Sequence, residues 1–190
     1  EKEVRLPGKY NFTFAGNIGK VQNLDNIVRG FGIFVKQYPD AYLNIIGDGS
    51  FLQELQQIVS DERIANVNFC GRKPLSEMSD YYKASDFLLI SLKDVPLYEI
   101  MIPSKFQAYL STGKPIFAIF NGEVRNIVEK YNIGYGAMPS DLDDIASGFA
   151  KFISLSDSDK EQMSLNCRHL NDTVFNRANI IRNINQLVWK

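Results

Sequence analysis

Residues 10–49 read YNFTFAGNIGKVQNLDNIVRGFGIFVKQYPDAYLNIIGDG, and their order decides the fold. Tyr10 to Ala15 is a short apolar, aromatic run closed by Gly16, the form of a buried strand. Leu24, Ile27, Val28, Phe31, Phe34 and Val35 then recur at helical spacing, which gives one apolar helix face. Pro39-Asp40 breaks that helix. Ala41 to Ile46 is a second strand, ending at Gly47-Asp48-Gly49, where Ser50 is a candidate cap for the next helix.

The same alternation runs outward to the rest of the chain. Leu52, Leu55, Ile58 and Val59 mark a second helix, Val67 to Cys70 a third strand ending at Gly71, and Pro74 to Ala84 a short helix with Ser76 as its candidate cap. Asp86 to Ser91 is a fourth strand, followed by a polar, proline-marked loop from Lys93 to Pro103. Ser104 to Thr112 reads as a helix closed by Gly113. Ile116 to Ile119, Glu123 to Lys130 and Gly134 to Met138 supply a strand, a helix and a sixth strand. From Asp141 onward the pattern is helical, with breaks near Ser156 and Asp172. Apolar strands alternating with amphipathic helices specify an α/β fold, a doubly wound parallel sheet of Rossmann-like form with C-terminal helices.

The 190 residues are 45% hydrophobic and 23% charged, enough for one domain with a full core. Lysine and arginine total 21 against 22 acidic residues, so no basic excess points to nucleic acid. Apolar runs reach about five residues, far short of the roughly 18 that a membrane span needs. Glu1-Lys2-Glu3 opens no secretory leader. The absence of an initial methionine suggests an excised piece. Cys70 reads as a buried thiol and Cys167 as a surface one. Two cysteines make no disulfide framework and fit a reducing compartment.

In doubly wound sheets ligands bind outside the carboxyl ends of the strands. The turns there hold the residues suited to chemistry. Gly16-Asn17-Ile18-Gly19-Lys20 allows close backbone approach to an anion, with free N–H groups of the next helix behind it; a plain tight turn is the alternative. Its spacing is neither GxGxxG nor a Walker loop. Asp48 can orient the neighbouring loop. Arg72 offers a forked donor suited to phosphate or serves as a solvated surface cation. Pro103-Ser104-Lys105 opens a helix, where a hydroxyl, amide donors and an ammonium can meet one phosphate. Glu99 can accept hydrogen bonds from a sugar or stand solvated, and Glu123 reads as a helix-start charge. His169, the single histidine, lies far from these turns and reads as a surface residue. No GxSxG elbow and no Cys/His cluster for zinc is present.

Taken in order, AGNIGK (15–20), IIGDGS (45–50), VNFCGR (67–72), YYKASDFLLIS (81–91) and IPSKFQAYLSTGKPI (102–116) resemble the C-terminal domain of group 1 glycosyltransferases. These are family-four retaining enzymes built from two Rossmann-like domains, the GT-B arrangement. The resemblance spans roughly residues 10–155 and is most specific in the PSK…YL.TGKP block. With the GN loop, that block looks most like bacterial sugar transferases of O-antigen and capsule assembly. It implies that residues 1–173 form a donor half, which binds a UDP-hexose or UDP-N-acetylhexosamine. Residues 174–190 would cross to an N-terminal acceptor half, covering it with Ile181, Ile184, Val188 and Trp189. The acceptor implied is a lipid-diphosphate-linked or polysaccharide chain on the cytoplasmic side, which leaves open a peripheral contact with the inner membrane face. Donor-binding residues carried over are Gly16, Asn17, Lys20, Arg72, Pro103, Ser104 and Lys105, with Lys105 and Glu99 as the catalytic pair. Neither metal nor cofactor is expected, because the nucleotide-sugar is itself the substrate.

Three positions depart from the family pattern. The slots for an arginine and a lysine in the first loop hold Asn17 and Gln22. The second glutamate of the Glu-x7-Glu motif, which contacts the ribose, is replaced by Ala108. The first glutamate slot falls at Ile100, one residue from Glu99. These departures sustain a rival of another class, a noncatalytic nucleotide- or partner-binding domain. A receiver-type signalling domain lacks its paired acids after the first strand, and a GT-B epimerase would want acid–base residues that are missing here.

Overall fold

A computed structural model describes residues 3–175 of the chain. Six strands form one parallel sheet: β1 (Tyr10–Ala15), β2 (Ala41–Ile46), β3 (Val67–Gly71), β4 (Phe87–Ser91), β5 (Ile116–Ile119) and β6 (Gly134–Ala137), in the order β3-β2-β1-β4-β5-β6. The helices are α1 (Leu24–Val35), α2 (Leu52–Asp61), α3 (Met78–Ala84), α4 (Lys105–Thr112), α5 (Glu123–Lys130), α6 (Leu142–Ile153) and α7 (Asp157–Leu170).

Period-two alternation in the strands divides the core between two faces. On one face Phe12, Phe14, Leu43, Ile45, Phe87 and Phe117 pack against Phe31 and Phe34 of α1 and Phe149 and Phe152 of α6. The rings there meet edge-on or tilted, as Phe12 does with Phe149 at 4.8 Å. On the other face Leu88, Ile90, Ile116 and Ala118 pack against Phe106, Tyr109 and Leu110 of α4, with α5 and α7 alongside. Towards β3 this second face turns polar. Asn44 donates to Asn11 at 3.2 Å and Asn68 to Asn44 at 3.0 Å, while the Thr13 and Ser85 hydroxyls pair at 2.6 Å. The mutual pairing lets Asn11, Thr13 and Asn44 stay buried without orphaned groups.

Several local expectations need correction. Cys167 is buried, because Met163, Cys167 and Leu170 make up the inward stripe of α7; burial pushes its thiol up to about 12. Cys70 is only half-buried, since β3 lies at the sheet edge. Ser50 and Ser76 cap nothing: α2 starts behind Phe51, and a separate 3-10 turn, Leu75–Glu77, precedes α3. Gly113 does end α4, at φ +70°, and the break at Ser156 is a capping box. The break near Asp172 is a wide turn over Asn171–Phe175, which sets Phe175 edge-on to Phe106 at 5.5 Å. Ile181, Ile184, Val188 and Trp189 lie outside the described residues.

In this strand order the chain reverses direction across the sheet between β1 and β4. The crevice therefore opens beyond Ala15 and Ser91. Backbone bonds join the loops at that edge: Gly16 N–H donates to Ile46 O, Ile18 to Asp48 O, Gly47 to Gly71 O and Lys93 to Val21 O, all within 3.0 Å.

Candidate functional site

A cleft of about 690 Å³ occupies this edge of the sheet. Gly16, Asn17, Gly47 and Asp48 form its floor, Arg72 and Lys73 one side, and Ser104, Lys105 and Ala108 the other. Leu75, in the 3-10 turn before α3, and Met78 and Tyr82 on α3 extend it. The turns after β1 and β3 and the start of α4, far apart in sequence, thus converge as the sheet rule requires.

Lys105 is the centre of the site. Its Nζ lies 4.1 Å from the centroid of the Phe14 ring and 2.7 Å from where a Cβ on Gly16 would stand. Gly16 has φ +146°, so a side chain there would be strained and would also strike the lysine. Among the described residues Lys105 has no carboxylate partner. Burial pulls its ammonium down to about 8. The ring face gives partial compensation. A desolvated cation facing a glycine loop and a helix N-terminus suits an anion. Arg72, exposed on the opposite wall, forms no ion pair among the described residues either, and the Ser104 side chain makes no cap bond at the start of α4. Among the described residues Asp48 is the one carboxylate lining the cleft, and its Oδ1 is engaged by the Gly49 N–H at 2.7 Å.

The structure thus brings together Gly16, Asn17, Arg72, Ser104 and Lys105, and places the other candidates outside the cleft lining. Lys20 turns away, its Nζ 3.2 Å from Glu54 and over the Phe51 ring at 5.7 Å. Pro103 acts through its backbone, its carbonyl accepting from Phe106 N–H at 2.9 Å. Glu99 ends a 3-10 turn, Pro96–Tyr98, and its carbonyl accepts from the Glu123 N–H at 2.7 Å. Gly122, at φ +107°, leaves no room for a Cβ beside that carbonyl, so the Glu99 backbone is seated on the start of α5.

Three residues essential to the geometry escape a reading of motifs. Tyr109 is fully buried, and its hydroxyl accepts from Ala15 N–H at 3.2 Å, latching α4 to the end of β1. Burial, the largest influence, raises its phenol far above the usual range. Gln22 folds the first loop back on itself, its Oε1 accepting from Gly19 N–H at 3.0 Å. Gly47, at φ +144°, lies so close to Gly16 that a Cβ would overlap the Gly16 carbonyl oxygen. Only the doubled Gly47/Gly49 pattern hinted at this approach.

The family description "Glycosyl transferases group 1" matches residues 1–169. The probable glycosyltransferase WbjE of Pseudomonas aeruginosa is 29% identical over 136 residues, covering 70% of this chain and 33% of its own. Among solved structures, the C-terminal domain of the group 1 family protein LpcC from Francisella tularensis superposes with a TM-score of 0.71 at 21% identity, over 90% of this chain and 88% of that one. Anabaena HepE, solved in complex with UDP, gives a TM-score of 0.78 at 16% identity, over 94% of this chain and 48% of its own. The chain therefore spans a third of WbjE and about half of HepE. With the parallel six-stranded sheet and its switch-point cleft, this match places the chain in the group 1 glycosyltransferase family, as a Rossmann-like domain of the GT-B type.

Proposed function

We propose that this chain is the donor-binding half of a retaining glycosyltransferase. It takes a UDP-hexose or UDP-N-acetylhexosamine and serves transfer to a lipid-diphosphate-linked or polysaccharide acceptor held by a second, N-terminal half, in O-antigen or capsule assembly. The observation that carries this reading is the partly desolvated Lys105 ammonium, which faces the Gly16 loop and forms no ion pair among the described residues. Cleavage of the donor C1–O bond builds negative charge on the departing diphosphate. Lys105, Ser104, Arg72 and the N–H groups opening α4 are placed to stabilise that charge. Such fixed donors reorganise little as the bond breaks, and the acceptor hydroxyl attacks from the same face with retention.

The family match and the relatedness to WbjE support the transferase reading, and HepE shows the same fold solved with UDP. The rim beside the cleft exposes Leu97, Ile100, Met101 and Ile102, with Ile100 at 81%. The division at residue 173 belongs to the same proposal, with residues 174–190 leading to the acceptor half. Calorimetric titration of the chain with UDP, GDP and ADP tests the reading. Saturable binding of UDP supports it, and silence from all three nucleotides overturns it.

Glu99 is the proposed contact to the transferred sugar, since its loop leaves the end of β4 beside the crevice. Glu99→Gln is expected to leave UDP affinity unchanged and to weaken UDP-sugar binding about 10- to 150-fold, the range for one charged hydrogen bond. Equal losses for UDP and UDP-sugar would remove Glu99 from the sugar site. The noncatalytic alternative rests on Ala108. It is separated by transfer: a protein carrying both halves that binds UDP-sugar but never turns it over is a binding module.

A further inference from the structure

Three features meet at the Lys105 side chain. It lines an open cleft. It is partly buried, with Nζ over the Phe14 ring at 4.1 Å, and Gly16 has no Cβ to cover that nitrogen. It forms no ion pair among the described residues, and burial lowers its ammonium to about 8. Burial lowers Lys114 too, but the Lys114 Nζ donates to the Lys83 carbonyl at 3.0 Å.

With a value of about 8, about one Lys105 side chain in ten is free amine at pH 7, against roughly one in 3,000 for a lysine at 10.5. A desolvated lysine amine is an activated nucleophile. A less basic amine is also intrinsically weaker, which offsets part of the gain. The cleft adds a second factor. Arg72 and Lys73 on the opposite wall, the Ser104 hydroxyl and the N–H groups opening α4 suit a phosphate. An electrophile that carries a phosphate is thereby concentrated beside the amine. The Arg72 and Lys73 charges also oppose the tendency of a bound phosphate to return Lys105 to its ammonium form.

We infer that Lys105 is a site of Nε-acylation by small acyl phosphates, whose phosphate is held by Arg72, Ser104 and the start of α4. The free Nζ attacks the carbonyl carbon and a C–N bond forms. The bond from that carbon to the bridging oxygen breaks, and its electron pair leaves with inorganic phosphate. The proton released by the nitrogen passes to the phosphate or to water. The product is a neutral amide, which removes the cation and puts an acyl group in the diphosphate's place. Acylation therefore closes the cleft to nucleotide. That last consequence rests on the reading of the cleft as a nucleotide-sugar site; the acylation itself requires only that the cleft take a phosphate.

The test is incubation of the chain with acetyl phosphate, followed by peptide mass spectrometry. Lys105 should gain acetyl groups about tenfold or more faster than the exposed Lys36 and Lys151. Its rate should level off once pH passes 8; Asp48, Arg72, Lys73 and Tyr82 are the other titratable groups lining the cleft among the described residues. N-hydroxysuccinimidyl acetate carries no phosphate and separates capture from reactivity. Arg72→Ala should lower the ratio of the acetyl phosphate rate to the ester rate at Lys105 about tenfold or more. Saturating UDP should slow acetylation at Lys105 and not at Lys36. Lys105 reacting no faster than Lys36 overturns the inference and leaves the donor reading intact where UDP binds. An unchanged ratio in Arg72→Ala overturns it as well, as does UDP that binds without slowing Lys105. Selective acetylation of Lys105 in a chain that binds no nucleotide sustains this inference and overturns the donor reading instead.

Discussion

Lys105→Met is expected to abolish most UDP affinity while making the unliganded protein more stable. Methionine keeps an apolar stem against Phe14 and removes the ammonium. Charge-assisted hydrogen bonds to the diphosphate are worth about 2–3 kcal/mol, so the dissociation constant should rise roughly 30- to 150-fold. The stability gain has a separate cause: without ligand, the folded state holds a partly desolvated cation with only a ring face for company. His169→Ala, on α7, serves as the control and should change neither quantity.

The same lysine fixes a pH dependence. Burial lowers its folded-state value to about 8 from 10.5. Above 8 the folded state releases this proton while the unfolded chain still holds it. Its destabilising contribution is therefore fully present below 8 and relieved between 8 and 10.5, a rise in stability with pH. UDP binding runs the other way, because only the ammonium form attracts the diphosphate. Affinity should hold to pH 7 and fall as pH passes 8, and Lys105→Met should flatten both trends. UDP affinity that is independent of pH from 7 to 9.5 in the parent protein would remove Lys105 from the anion site.

Gly47→Ala is expected to have the largest effect on stability and to destroy the site as well. The residue sits at φ +144°, and the added methyl would overlap the Gly16 carbonyl oxygen, a backbone atom that no rotamer change can move. Strain and loop displacement together should cost about 2–4 kcal/mol. In a protein of this size that lowers Tm by about 5–15 °C. Gly71→Ala is the matched comparison: its φ is +70°, but nothing lies within 4 Å of the new Cβ. It should cost about 1–2 kcal/mol of backbone strain and leave UDP binding in place. Equal Tm losses in the two variants would show that conformation, rather than the approach to Gly16, governs Gly47.

Most of the fold was legible in the sequence because its signals are local. Strand runs such as Phe87–Ser91 and helix faces such as Leu24, Ile27, Val28 and Phe31 carry their periodicity within a dozen residues. The cleft was legible to the extent that it sits at strand ends, so Gly16, Asn17, Arg72, Ser104 and Lys105 fall together once the sheet order is known. Lys20 was misleading because charge and loop position do not reveal direction, and Glu54 on α2 draws it away. Polar neighbours mask the burial of Cys167, although its spacing from Met163 and Leu170 puts it inside. Tyr109, Gln22 and the Gly16–Gly47 approach depend on contacts between distant segments or on backbone detail, and no one-dimensional pattern encodes them. The asparagine ladder was hidden likewise, since Asn11, Asn44 and Asn68 lie far apart in the chain.

The backbone bonds that tie the loops after β1, β2, β3 and β4 have a consequence in time as well as in shape. The conformational entropy of arranging this floor is lost when the chain folds, before any nucleotide arrives. An encounter with the diphosphate then meets donors already in place, and association is governed by diffusion and orientation, in the ordinary range of about 10⁵–10⁷ M⁻¹s⁻¹. Differences among nucleotides therefore appear in how long each stays.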